Sequence, residues 1–274
     1  MLLPRLTTAI IGIPLIILSI KFGGIPYFLL IFIIVIFSLQ EYIFLTNKAK
    51  YENNPVIIFI SGILFFISIY LNGSNLLSET KINLLTSSVL SFIIFIIFFV
   101  EIFKKKLERN FGRIGINFIN IFFICWPMGH LLLIRDIKPY GNKYSYFLFV
   151  LIWLIDTGAY LVGKKFGKTR LAEKISPKKT IEGLIGGFIT AIISGIVLIK
   201  LLKLDNFNVT ETIILSLIIT IFAVIGDLSE SLLKREAEVK NSDSLLPGHG
   251  GMLDRFDSFI FTAPLFYYYL LIFK

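Results

Sequence analysis

The sequence predicts an all-α, polytopic integral membrane protein of about nine transmembrane helices, with a polar site facing the cytoplasm. Three observations predict it. Only 16% of the 274 residues are charged, whereas a soluble domain, whose surface must face water, runs near a quarter. Hydrophobic residues make up 56% and the mean hydropathy is +0.84. The polar residues are clumped, and the apolar runs between them reach roughly 20 residues, long enough to cross a hydrocarbon core of about 30 Å.

Nine such runs are read, at residues 7–20, 27–45, 55–71, 84–100, 114–134, 144–162, 181–202, 211–226 and 257–273. The first is short and N-terminal, as a signal peptide would be. Lys21-Phe22-Gly23-Gly24-Ile25-Pro26 after it is a poor match to a cleavage site, so it is read as retained. The second carries Glu41 near its inner end, a residue open to either a structural or a functional reading. The third and fourth are plain apolar spans. The fifth holds His130 and the single cysteine, Cys125, both read as packing; one cysteine forms no intramolecular disulfide. The sixth contains Asp156, the eighth ends against Asp227, and the ninth begins at Asp257. No linker or repeat divides the chain. It is read as one membrane domain, 1–274, with a scaffold in 1–134 and a catalytic region in 144–274.

Basic residues orient the spans. With nine crossings, nineteen of the 27 lysines and arginines fall on the side of the N-terminus, which predicts that this side is cytoplasmic. The two longest polar loops, 163–180 and 227–254, lie on that side.

Those loops hold the chemistry. A carboxylate at membrane depth is costly, so Asp156 is expected to face a polar cavity or to make a buried structural hydrogen bond. If the eighth helix continues past its apolar part, Asp227, Ser231, Lys234 and Glu238 share one face, offering carboxylates for a hard cation and an ammonium for phosphate. A solvated, salt-bridged helix end would look the same. In Leu-Pro-Gly-His-Gly-Gly, Gly248, Gly250 and Gly251 permit positive φ and close backbone approach, so consecutive N–H groups could point at an anion; His249 is either a donor or a turn residue. The helix N-terminus that follows adds its positive end. Asp254 and Asp257, three apart around Arg255, are expected to project from one side of that helix start as a metal site. Gly158-Ala-Tyr-Leu-Val-Gly163-Lys164 has P-loop spacing, but Lys165 stands where a Ser or Thr is needed and no strand precedes it.

Ser231-Leu-Leu-Lys234-Arg235, Lys240, Pro247-Gly-His-Gly-Gly251 and Asp254-Arg-Phe-Asp257 together closely resemble the signature of the phosphatidate cytidylyltransferase family, the CDP-diacylglycerol synthases. The resemblance extends to Asp156-Thr-Gly-Ala-Tyr160, Gly163-Lys-Lys-Phe-Gly-Lys168, Ser176-Pro-Lys-Lys-Thr-Ile-Glu-Gly183 and Arg5-Leu-Thr-Thr-Ala9. One departure stands out. Where the family has Lys-Asp-Ser-Gly, this chain has Lys240-Asn-Ser-Asp243, so Asn241 supplies no charge and Asp243 replaces a glycine.

The resemblance implies nucleotidyl transfer from CTP to phosphatidate, giving CDP-diacylglycerol and pyrophosphate. Asp227, Asp254 and Lys234 are the expected catalytic residues, and Asp227, Asp254 and Asp257 the expected Mg²⁺ ligands. A second cation nearby is implied, for which a monovalent ion is one candidate. Lys178, Lys179, Ser231, Arg235, Lys240, Gly248, His249, Gly250, Gly251, Arg255 and Asp156 are the expected substrate contacts, although the lysines could simply obey the positive-inside rule. The expected partners are CTP, phosphatidate and membrane lipid, with no nucleic acid, in a cell (inner) membrane; the family implies a homodimer. A transporter would instead show matching polar interruptions in two halves, whereas here they crowd into the second. CDP-alcohol phosphotransferases and prenyltransferases use paired Asp-x-x-Asp motifs, and only Asp254-x-x-Asp257 fits.

Overall fold

The computed structural model describes residues 3–73, 79–104, 109–240, 242 and 250–274, with side chains described from residue 10 and, in the fourth helix, from residue 84. The helices are α1 (Leu3–Phe22), α2 (Gly24–Lys48), α3 (Pro55–Gly73), α4 (Glu79–Ile102), α5 (Asn110–Ile119), α6 (Trp126–Asp136), α7 (Gly141–Phe166), α8 (Ile181–Leu201), α9 (Val209–Glu236), α10 (Leu253–Phe256) and α11 (Phe259–Phe273). Among the described residues eight helical spans are long and apolar enough to cross a membrane, and Ile10–Phe22 is a shorter apolar helix. Each of the nine runs read from the sequence is therefore helical. The protein is a multi-pass, all-α membrane protein.

Helix α8 shows how the chain divides its faces. Ile185, Ile189, Ile193 and Val197, spaced by four, are exposed, while Gly187, Ala191, Ser194 and Leu198 are buried. That is an outward apolar face with small residues inward, the arrangement expected where lipid is the solvent and helices associate by close backbone approach. The core is built largely on α2, α3, α6, α7 and α11, with Tyr27, Tyr42, Phe66, Phe147, Phe149, Phe259 and Phe266 among its largest fully buried side chains.

Local rules set several boundaries. Asn208 and Glu211 close a reciprocal capping box at the start of α9. Thr180 caps α8 by accepting the Gly183 N–H. Between α5 and α6 a π-helical segment, Asn120–Cys125, interrupts the fifth span. Pro127 follows at once; with no N–H and a ring that crowds the preceding turn, it strains a regular ladder, which a widened turn relieves. His130 packs edge-on against Trp126 and Tyr267 and bonds the Trp126 carbonyl through Nδ1 at 2.7 Å, a structural role. Cys125 is buried.

The loop 163–180 is more ordered than an irregular loop. Strands β1 (Arg170–Ala172) and β2 (Ser176–Thr180) form an antiparallel hairpin with a bulge, and β2 runs directly into α8. Glu182, in the first turn of α8, accepts the backbone N–H groups of Lys168 and Thr169, and so ties the start of the hairpin to the helix after it.

Candidate active site

The site is assembled where α7, α8 and α9 meet the hairpin. A cavity of about 590 Å³ lies there. Asp156, Lys178, Lys179 and Asp227 line its polar part, and Ile155, Ala159, Leu184, Ala223 and Val224 line an apolar wall. The expectation that Asp156 faces a polar cavity is met.

Helix α9 passes unbroken from its apolar part to Glu236, so Asp227, Ser231 and Lys234 do share a face. Glu238 does not. Its backbone turns left-handed (φ 54°) two residues beyond the helix, where the Val239 N–H closes back on the Lys234 carbonyl. Where α9 crosses the segment before α11 the approach is close, since a Cβ on Gly226 would lie 2.4 Å from the Asp257 carbonyl oxygen. This crossing sets Asp227 beside Asp257. Asp257 interacts electrostatically with both Asp227 and Asp156, and Asp156 in turn with Asp227, Lys179 and Arg255. Lys179 Nζ stands 2.5 Å from Asp227 Oδ2, and Ser231 donates to Asp227 Oδ1 at 3.4 Å.

Asp254 takes a different set of partners. The helix start expected here is present, its backbone right-handed through Asp257 and Ser258 between α10 and α11, so the difference lies in what surrounds each acid. Asp254 Oδ1 receives Lys234 Nζ at 2.5 Å; Oδ2 receives the Gly251 N–H at 2.9 Å and the Ser242 N–H at 3.2 Å. Lys234 also pairs with Glu230, which is fully buried one turn earlier on α9. Thus Lys234, expected to hold phosphate, lies between two carboxylates and is itself only 8% exposed. The helix N-terminus expected to receive an anion is likewise taken by the chain. Glu41 of α2 accepts the Leu253 N–H at 2.7 Å, and the Met252 N–H as well.

The remaining residues divide as follows. Arg235 donates from Nε to the Ile175 carbonyl in the hairpin turn (2.9 Å), so it anchors the wall that carries Lys178 and Lys179. Lys240 is exposed just beyond α9, and Arg255 is exposed beside Asp156. Gly250 has φ 79°, as its place in the turn demands. Asn241, Asp243, Gly248 and His249 lie outside the described residues. Glu230 and Ser242 were missed by sequence reasoning; for Glu230 the signal was its position four residues before Lys234, the favourable helical ion-pair spacing.

Among the described residues no three His, Cys, Asp or Glu side chains form a ready metal cage. Asp156, Asp227 and Asp257 are the acids that come together, and their chemistry is that of a hard cation's ligands. They are oxygen donors that repel one another, and the Lys179 ammonium already stands against them as a counter-charge.

The fold and site define a multi-pass membrane protein with an acid and lysine centre at the edge of its helical bundle. The chain belongs to the cytidylyltransferase family, whose model matches residues 3–273. It is 38% identical to the phosphatidate cytidylyltransferase of Bacillus subtilis (strain 168), over 62% of each chain. It is 32% identical to the protein of that name from Staphylococcus saprophyticus and 33% identical to that from Staphylococcus aureus (strain COL), each over 95% of this chain and 96% of the relative.

Proposed function

We propose that the protein transfers the cytidylyl group of CTP to phosphatidate, releasing pyrophosphate and leaving CDP-diacylglycerol in the membrane. The observation that carries this reading is the cavity in which Asp156, Asp227, Lys178 and Lys179 meet an apolar wall. A phosphate-headed lipid needs both surfaces at once, and the polyphosphate it reacts with needs the cationic one.

In the reaction an oxygen of the lipid phosphate forms a bond to the α-phosphorus of CTP. The bond from that phosphorus to the α,β-bridging oxygen breaks, and pyrophosphate carries away the electron pair. The attacking oxygen is already anionic, so no strong base is needed, and the barrier is dominated by bringing two polyanions together. Asp227 and Asp257, with Asp156, would hold Mg²⁺, which when bound neutralises charge on the phosphates. Lys178 and Lys179 hold phosphate oxygens at the cavity mouth. Lys179, paired with Asp227 in the structure, would be free to reach a phosphate oxygen if Asp227 held a cation. Lys234, itself paired with Glu230, holds Asp254 of the signature motif in place. On this reading the site faces the cytoplasm, and the second cation and the homodimer that the family implies belong to the same proposal.

The test is pyrophosphate release from CTP by the purified protein in detergent, with and without phosphatidate and Mg²⁺. Release should require all three, and Asp227→Ala should abolish it while expression persists. Release that ignores phosphatidate, or an Asp227→Ala protein with near-normal turnover, would sink the reading. ATP or a CDP-linked alcohol supporting turnover in place of CTP would point to a lipid kinase or a CDP-alcohol phosphotransferase.

A further inference from the structure

Glu41 comes from the half of the chain read as scaffold, yet its carboxylate is fully buried and aimed at the signature loop. Oε1 accepts the Met252 N–H, while Oε2 accepts the Leu253 N–H at 2.7 Å and the Ser242 hydroxyl at 2.8 Å. Each of those three donors is neutral. A carboxylate buried on neutral donors is costly unless its geometry is fully used.

The geometry is used twice. Met252 and Leu253 are the residues from which α10 starts, so their N–H groups have no partner within a helix and Glu41 supplies it across the bundle. Ser242 has a single hydroxyl hydrogen between two carboxylates, Glu41 Oε2 at 2.8 Å and Asp254 Oδ2 at 3.0 Å. It therefore links Glu41 to Asp254, whose other oxygen holds Lys234. The backbone is pressed against this junction, since a Cβ on Gly251 would lie 1.9 Å from Ser242 Oγ and 2.3 Å from Glu41 Oε2.

We infer that Glu41 is a positioning residue for the transfer reaction. From α2 it holds Ser242, Met252 and Leu253, and through Ser242 it sets Oδ2 of Asp254, whose Oδ1 takes Lys234. The inference rests on the reaction proposed above. It also makes glutamine a poor substitute, because the two N–H groups fall on different oxygens and a glutamine offers only one acceptor.

Glu41→Gln, Glu41→Asp and Ser242→Ala are to be purified in detergent, with kcat, KM and melting temperature measured for each. Hydrogen exchange is followed on the peptide containing Met252 and Leu253. Glu41→Gln should lower kcat about 10²-fold, the scale of an ångström-sized misplacement, while KM for phosphatidate stays within about threefold. Glu41→Asp, which keeps the charge, should recover part of the loss. Glu41→Gln combined with Ser242→Ala should be little worse than Glu41→Gln alone, because both act through one contact chain. Exchange at Met252 and Leu253 should quicken by about tenfold or more in Glu41→Gln. Unchanged exchange there overturns the inference whatever the turnover. So does a Glu41→Gln protein that melts lower but keeps its kcat. An unaltered chain that releases no pyrophosphate would overturn the reaction instead, and the exchange measurement would still decide Glu41.

Discussion

Lys234 sits between Glu230 and Asp254, and all three side chains are buried or nearly so. One ammonium thus serves two carboxylates in a region where water contributes little screening. Removing the cation leaves two like charges facing each other, so Lys234→Met should destabilise the protein by about 3–5 kcal/mol, the usual cost of stranding a buried ionic partner. Thermal melting in detergent measures it, and an unchanged melting temperature would refute the triad. Adding Glu230→Gln to Lys234→Met should restore part of the melting temperature, because one stranded charge is gone. It should not restore turnover, because Asp254 still lacks its anchor. The acids at 156, 227, 254 and 257 draw notice in the sequence because ionisable groups at the ends of apolar runs need partners, whereas Lys178 and Lys179 are singled out by the family resemblance. Which acid pairs with which cation is not legible there, since that depends on how α9 crosses the chain at Asp257, a contact that no local spacing encodes.

At the scale of elements, what could be read was whatever repeats locally. The nine apolar runs and the common face of Asp227, Ser231 and Lys234 follow from length and a 3.6-residue period, and both are present. The π segment before Pro127 and the β1–β2 hairpin carry no such local signal. Each is a departure from regular geometry settled by packing partners distant in sequence. The hairpin shows why this matters. Arg235 belongs to the signature motif, but it reaches the Ile175 carbonyl at 2.9 Å and holds the strand pair that carries Lys178 and Lys179. A lysine keeps the charge but lacks the planar fork that donates from Nε, so Arg235→Lys is not conservative here. Arg235→Lys should lower kcat/KM about fivefold to tenfold by loosening the cavity wall, with the melting temperature nearly unchanged. Full kcat/KM in that variant would mean that the hairpin is held without Arg235.

For the whole molecule the open quantity is direction across the membrane. The β1–β2 hairpin and the loop between α8 and α9 lie at opposite ends of α8. Nineteen of 27 basic residues fall with the hairpin, and basic loops are retained on the cytoplasmic side. The same end must face the nucleotide if CTP is the substrate, so topology and chemistry make one joint prediction. Two exposed positions test it: Lys174 in the hairpin turn and Asp205 between α8 and α9. The single native cysteine, Cys125, is fully buried, which keeps background labelling low. In intact cells a membrane-impermeant maleimide should label Asp205→Cys but not Lys174→Cys. After permeabilisation it should label both. Labelling of Lys174→Cys from outside would invert the orientation and place the acids and lysines away from the nucleotide. Equal labelling of both positions in intact cells would mean that they do not lie on opposite faces, and α8 would then not be a full crossing.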